Sequence, residues 1–403
     1  MPNNYEAGKV IVALNRNLVY SDSDDFYTSI FDGINFEKVE VIFHPQIKKE
    51  SDSGNILLFY LKHKNKSEVM ETIKKLSMNP HVLYAEPDYL AQEFIIPNDP
   101  LFKYLWGTER IKAPLAWNYT TGSSDVAVGV IDSGIDHYHP DIRNNMWTSP
   151  DGKFANGWNF FRNNGDSTDL IGHGTRVAGT IGAVGNNNIG ITGVCWNVRV
   201  ASLRFGFDFA SAIAAIDFAN AYKISILNAS WGSRAYSQAL KFAIEQYDGL
   251  FIAAAGNSGT NNDVILDYPS SYGIDNIISV AATNPNDTLA SFSNYGAKSI
   301  DIAAPGTDIM SLSLHGGYTR QSGTSMSAPH VAGAAALLKS YMPNLNALDI
   351  KFIILSSVDK NFNLNGKISS GGILNVNAMF EMANRFTSSR LNTGAFTQNI
   401  PVI

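Results

Sequence analysis

Four hundred and three residues, 45% hydrophobic and 16% charged, can bury a sizeable core, and at roughly 150 residues per domain they suggest two or three folding units. Thirty Lys plus Arg against 36 Asp plus Glu leave a net charge of −6, with no basic excess to neutralise phosphates, so neither nucleic acid nor an anionic membrane is an expected partner. The single cysteine, Cys195, excludes an internal disulfide framework and a Cys-rich zinc site.

Met1 to Val10 lacks the basic segment and apolar stretch of a secretory signal, so the chain as written is expected in the cytoplasm, or outside the cell if an upstream leader was trimmed. No apolar run approaches the length of a membrane span. The first 94 residues hold 24 charged side chains and three glycines, and the other 309 hold 42 and 30. This break predicts a small unit, residues 1–94, a large body rich in tight turns, residues 95–385, and a loose polar tail, residues 386–403.

In the small unit, Lys9 to Leu14 and Asn55 to His63 are predicted strands, and Ser67 to Leu76 places Val69, Ile73 and Leu76 on one helical face. That is a small α+β unit. Phe94 to Pro100, with two prolines, reads as an extended connection open to cleavage. In the large body, the apolar runs Val126 to Ile131, Ile224 to Leu227, Leu250 to Ala254 and Ile277 to Ala282 alternate with helical patterns, which predicts an α/β fold with a parallel sheet flanked by helices. The clearest helix, Tyr236 to Tyr247, sets Leu240, Ala243, Ile244 and Tyr247 toward that sheet.

Four polar groups stand at predicted element ends. Asp132 follows the run Val126 to Ile131, where ligands of parallel sheets gather, although a lone Asp there more often caps a loop. His173, between Gly172 and Gly174, opens a helical pattern and is sterically accessible. Ser325, in Gly323-Thr-Ser-Met-Ser-Ala-Pro-His330, falls at the first turn of a small-residue helix. Unpaired N–H groups there suit an oxyanion, and a serine there also suits plain capping. Asn257 ends the run Ala253 to Gly256 as a turn residue with an amide to donate.

Asp, His, Asn and Ser in that order, each in a glycine-rich setting, resemble the subtilisin-like serine proteases, and the thermitase-like members in particular. The resemblance spans about residues 95–380 and rests on Asp132-Ser-Gly-Ile-Asp136 with His139-Pro-Asp141, Gly172-His-Gly-Thr175, Asn228-Ala-Ser-Trp-Gly232 and the Ser325 segment. It implies Asp132, His173 and Ser325 as the catalytic triad and Asn257 as oxyanion donor. Ser230, Trp231 and Gly232 would form one wall of the first substrate pocket and Ala254, Ala255 and Gly256 the other, with Trp231 as readily a core side chain.

Catalysis in the family needs no cofactor, but a structural calcium is implied. Its ligands would be Asp99, Asp141 and Asn187 with the carbonyls of Val184, Ile189 and Ile191, unless that loop is only a Gly/Asn-rich turn. The first 94 residues resemble the family's ferredoxin-like inhibitory propeptide, ending near Tyr84 to Tyr89. Self-cleavage is then expected between Phe94 and Ile95, with an apolar residue in the first pocket. Expected partners are polypeptide substrates and the chain's own propeptide, acting on a monomer.

Two departures from the family pattern stand out. The segment after Arg204, Phe205-Gly-Phe-Asp-Phe-Ala210, shortens the edge that pairs with substrate, and Arg176 replaces a histidine. Competing readings are a catalytically silent peptide-binding relative and an esterase, the latter disfavoured because Gly323-Thr-Ser-Met-Ser327 lacks a second glycine. No phosphate-binding Gly-Lys motif supports a nucleotide enzyme.

Overall fold

The computed structural model describes residues 5–15, 27, 29–44, 53–90 and 94–393. The chain divides into two compact units, Met1–Glu93 and Phe94–Ile403. In the first, strands β1 (Tyr5–Asn15), β2 (Phe36–Phe43), β3 (Ser53–Leu61) and β4 (Val82–Tyr89) form an antiparallel sheet in the order β2-β3-β1-β4. Helix α1 (Lys66–Leu76) starts where the Asn65 side chain accepts the Glu68 N–H. Val69 and Leu76 of α1 share one core with Val10, Val12, Leu57 and Phe59 of the central strands.

The strands that the hydrophobic pattern does not reveal, β2 and β4, are the two edges of this sheet. Edge strands bury one flank only, so β2 carries Glu37, Lys38 and Glu40, and β4 tolerates Pro87. The segment expected to close the propeptide, Tyr84 to Tyr89, lies in β4.

The second unit is built on a nine-stranded sheet. Its strands are β5 (Gly122–Asp132), β6 (Gly157–Asn159), β7 (Asn197–Arg204), β8 (Ile226–Ala229), β9 (Leu250–Ala254), β10 (Ile277–Thr283), β11 (Ile302–Pro305), β14 (Asp359–Lys360) and β15 (Gly372–Ile373). A separate hairpin joins β12 (Ile309–Ser313) to β13 (Gly317–Gln321). The sheet order is β14-β15-β11-β10-β9-β8-β5-β7-β6, parallel except for β14 against β15.

Both faces are covered, which is why the central strands are largely apolar, with Asn228 and Ser279 among the buried exceptions. Val128, Val130, Ile252 and Val280 face a core shared with helices α2 (His173–Gly182), α5 (Thr324–Tyr341), α6 (Ala347–Ser356) and α7 (Val376–Thr393). Ile131, Leu203, Leu227 and Phe251 face the opposite core, with helices α3 (Phe209–Ala221) and α4 (Gln238–Glu245). In α4, Leu240 and Ile244 are fully buried, as the helical pattern predicts.

Two boundaries differ from the sequence expectation. Lys223 takes a left-handed φ of 53°, which delays β8 to Ile226–Ala229. The tail expected from residue 386 continues α7 to Thr393 because Met379, Phe380 and Ala383 are buried and Phe386 packs on Phe352. Residues 394–403 of that expected tail lie outside the described residues.

Candidate active site

Sheet register assembles the rim of the site. Ile131 pairs with Ala229 and Ala229 with Ala253, so the next residues, Asp132, Ser230 and Ala254, stand side by side at the carboxyl ends of β5, β8 and β9. Ligands of parallel sheets collect at these ends. Asp132 closes β5 and is fully buried.

His173 is the first residue of α2. Gly172 caps that helix with a left-handed φ of 90°, and a side chain on Gly174 would come within 2.1 Å of the Gly134 carbonyl oxygen. The glycines thus let α2 begin against the turn that follows Asp132. The Nδ1–H of His173 donates to Asp132 Oδ1 at 2.8 Å, with Oδ2 at 3.0 Å. Burial disfavours the imidazolium, but the charge and hydrogen bond of Asp132 outweigh it and hold the His173 pKa above its ordinary value; Asp169 adds to the rise and Arg176 opposes it.

Other histidines in recognisable motifs are tied up elsewhere. His330 is buried in α5, where its Nδ1–H donates to the Met326 carbonyl, and burial pushes its pKa down to about 4. His139 Nδ1 accepts the Asp141 N–H, so its Nε2–H donates to the Gly317 carbonyl.

Ser325 occupies the first turn of α5, a helix lying against β5, β8, β9, β10 and β11. Ser230 Oγ donates to the Ser325 carbonyl at 2.9 Å. The Thr324 N–H and hydroxyl both donate to Asn257 Oδ1, at 2.8 and 3.0 Å, which leaves the Asn257 Nδ2 hydrogens to serve another acceptor. A side chain on Gly323 would meet Ser325 Oγ at 2.9 Å and Asn257 Nδ2 at 3.5 Å, so hydroxyl and amide border one small space. Among the described residues no hydrogen bond joins Ser325 Oγ to His173. Such bonds commonly tighten only when substrate is present.

Around the rim, the Trp231 indole N–H donates to the Ile131 carbonyl at 2.9 Å and its ring lies against Phe205. Trp231 is therefore half-buried and fixed rather than wholly a core side chain. The Gly256 N–H donates to Thr324 Oγ1, tying the segment Ala254 to Gly256 to the start of α5. After β7 the chain turns through Phe205 to Phe207 and enters α3 at Phe209, capped by Asp208. Arg176 makes no hydrogen bond through its buried Nε.

Of the implied calcium ligands, Asp99, Asp141 and Asn187 meet at one loop, where Asn187 Oδ1 accepts the Ile189 N–H. Asp141 is fully buried; it accepts the Ile191 N–H, the Tyr318 hydroxyl and the Asn187 side-chain amide. Asp99 is 4% exposed and accepts the N–H groups of Asn186 and Asn187. Burial raises the pKa of both carboxyls, and Asp99 raises that of Asp141 further. Neither pairs with a Lys or Arg among the described residues, so two hard, mutually repelling carboxylates beside a loop rich in carbonyls fit a divalent cation.

Several contributors escape sequence reasoning. Asp169, 3% exposed, accepts the N–H groups of Ile171, Gly172 and Thr175, the Thr175 hydroxyl and the Ser133 hydroxyl. It therefore joins the turn after Asp132 to the start of α2. Its position four residues before His173 is a weak signal, since an Asp before any helix reads as a cap. Thr324 gives no signal apart from its neighbour Ser325, because its partner Asn257 is 67 residues away.

The sequence model of the Subtilase family matches residues 123–373. "Thermophilic serine proteinase" of Bacillus sp. (strain AK1) is 39% identical over 301 residues, covering 72% of this chain and 71% of that protein. Thermitase of Thermoactinomyces vulgaris is 35% identical over 273 residues, covering 66% of this chain and 92% of its own length. Among solved structures, a protease of Pseudoalteromonas arctica PAMC 21717 matches with a TM-score of 0.63 at 28% identity, covering 71% of this chain and 99% of that one.

Proposed function

The chain belongs to the subtilase family and is a subtilisin-like serine protease, and we propose that it cuts within polypeptides through Asp132, His173 and Ser325, as a self-processing zymogen. The observation that carries the residue assignment is the Asp132–His173 hydrogen bond at the carboxyl end of β5, with Ser325 at the start of the helix packed beneath.

A serine hydroxyl is a weak nucleophile near neutral pH and needs a base to take its proton. His173 accepts that proton at Nε2 as Ser325 Oγ attacks the carbonyl carbon, while Asp132 holds the Nδ1–H tautomer and stabilises the imidazolium. The resulting oxyanion accepts from Asn257 Nδ2 and the Ser325 N–H, donors already oriented by Thr324 and by the helix start. His173 then returns the proton to the departing amine, and water, deprotonated by the same imidazole, releases the acyl group from Ser325. No cofactor takes part in these steps.

The segments Ser230 to Gly232 and Ala254 to Gly256 form the walls of the first pocket. With only Phe205 to Asp208 between β7 and α3, extended peptide pairs chiefly with the Ser230 to Gly232 side. Calcium, held by Asp99, Asp141 and Asn187 with the carbonyls of Val184, Ile189 and Ile191, neutralises the loop and stabilises the fold. The enzyme acts as a monomer on polypeptides.

Residues 1–94 act as an intramolecular inhibitor removed by a cut between Phe94 and Ile95, both solvent-exposed. N-terminal sequencing of activated enzyme tests this, and a start more than a few residues from Ile95 overturns the site. The activity itself is tested by incubating the purified chain with casein beside Ser325→Ala. Hydrolysis by the wild type alone is expected, and equal residual rates would favour a silent peptide-binding relative.

A further inference from the structure

Between the two walls of the first pocket lies a carboxylate that the reaction above does not use. A side chain on Gly232 would meet Asp267 Oδ1 at 2.5 Å, and one on Gly256 would meet Asp267 Oδ2 at 3.0 Å. The Asp267 carboxylate therefore spans the gap from one wall to the other. Its backbone is held firmly: the Asp267 carbonyl accepts the Ser270 hydroxyl and the Ser271 N–H, and Ser233 and Tyr268 exchange two hydrogen bonds at 2.8 Å.

The side chain, in contrast, has no hydrogen-bond partner among the described residues. Oδ1 is buried without a hydrogen bond, and among the described residues neither oxygen accepts one or lies in an ion pair. Burial raises the Asp267 pKa and the charge of Arg234 partly offsets this, yet Arg234 is exposed and forms no ion pair of its own among the described residues. A half-buried carboxylate with Oδ1 sealed from water and unmatched is costly, and the cost is relieved when a hydrogen-bonding cation enters.

We propose that Asp267 makes the first pocket select a lysine or arginine side chain before the scissile bond. The inference rests on the protease reading and on the two walls assigned there. Trp231 and the edge of Ala254 offer apolar surface to the methylene stem of such a side chain, and the ammonium or guanidinium at its tip meets the carboxylate. Arginine suits the site best, since its planar fork can engage both carboxylate oxygens. Glycine at 232 is required on the same geometry, because any side chain there would displace the carboxylate, and glycine at 256 is required also by its φ of 106° and by Asn294 Nδ2, 2.4 Å from an added carbon. This choice differs from the apolar preference expected from Phe94. A cut at Phe94–Ile95 is intramolecular, and the high effective concentration of a tethered bond substitutes for pocket fit.

The test uses two fluorogenic peptides identical except for Arg or Phe before the cleaved bond, with activated wild type, Asp267→Asn and Ser325→Ala. The wild type is expected to favour the Arg peptide in kcat/KM by about tenfold or more. In Asp267→Asn that ratio falls to about one or below, chiefly through loss of kcat/KM on the Arg peptide, and a melting temperature compared with the wild type reports whether the fold is intact. A wild type that favours Phe, or an Asp267→Asn variant that keeps the Arg preference, overturns the proposal. If the variant does not fold, calorimetry with the activated wild type, its cleft free of residues 1–94, compares arginine amide with its neutral isostere citrulline amide. Tighter binding of the arginine amide supports the assignment and equal binding overturns it. Absence of Ser325-dependent cleavage of either peptide would instead remove the protease reading, and the calorimetric comparison would still judge the pocket.

Discussion

Ser230 Oγ donates to the Ser325 carbonyl at 2.9 Å, where an α-helix would ordinarily bring an N–H from four residues further on. That residue is Pro329, which has no N–H. The proline opens a backbone acceptor inside the first turns of α5, and a hydroxyl from the neighbouring strand end fills it. The carbonyl of Ser325 is thereby fastened to the rim that carries Asp132.

Removing this donor leaves a buried carbonyl without a partner, so Ser230→Ala should cost about 1–3 kcal/mol in urea unfolding. It should also lower kcat, because the turn that presents the Ser325 hydroxyl loses its fastening. Pro329→Ala restores an N–H at the right place, and the double variant should recover part of the loss, a coupling of about 1 kcal/mol. Strict additivity of the two changes would show that the two donors do not compete for the same carbonyl.

The raised pKa of His173 sets the pH dependence. A general base works only when neutral, so kcat/KM should rise with pH through a value above about 6.5, the ordinary histidine pKa. Asp132→Asn removes the charge and the hydrogen bond that hold the pKa up. The acid limb should then move to lower pH while kcat drops by roughly 10⁴. A group whose pKa is raised by folding adds stability that is complete below its unfolded pKa and disappears as pH climbs through the folded one. The Tm penalty of Asp132→Asn should therefore be larger near about pH 5.5 than near about pH 8.5. An unshifted limb in the residual activity would argue against His173 as the base.

Asn257 is oriented through Oδ1 alone, with Nδ2 left to donate. Asn257→Leu should lower kcat by about 10²–10³ and change KM little, because the amide acts on charge that exists only in the transition state. Equal kcat in the variant would place the oxyanion elsewhere.

Chelation probes the loop of Asp99, Asp141 and Asn187. Calcium at about a hundred times its Kd contributes about 2.7 kcal/mol, which in a unit of this size corresponds to a Tm loss of roughly 4 °C on adding EDTA, reversed by excess calcium. Asp141→Asn should melt lower from the outset and respond little to EDTA. No Tm change in the wild type would mean that the loop is held by its own hydrogen bonds.

Much of the site is legible along the chain because its members sit where the chain changes direction. Asp132 ends an apolar run, His173 stands between two glycines, Ser325 opens a helix of small residues and Asn257 follows three alanines and a glycine. Periodicity finds the central strands for the same reason, since both faces of β5, β8, β9 and β10 are covered by helices. The edge strands β2 and β4 have weaker patterns because half of their surface meets water.

By itself the sequence determined the α/β class and the family, and it singled out the four groups proposed for the reaction, because each of these is written in short segments whose local chemistry is self-contained. The tertiary structure decided what depends on residues distant along the chain: that Asp169 braces both sides of His173, that Thr324 aims the amide of Asn257, and that Ser230 replaces the missing N–H of Pro329. It also brought Asp267 between Gly232 and Gly256, 35 and 11 positions away in the sequence. A hydrogen bond or an unpaired charge is a property of two groups in space, and no pattern confined to one stretch of chain specifies where the second group lies.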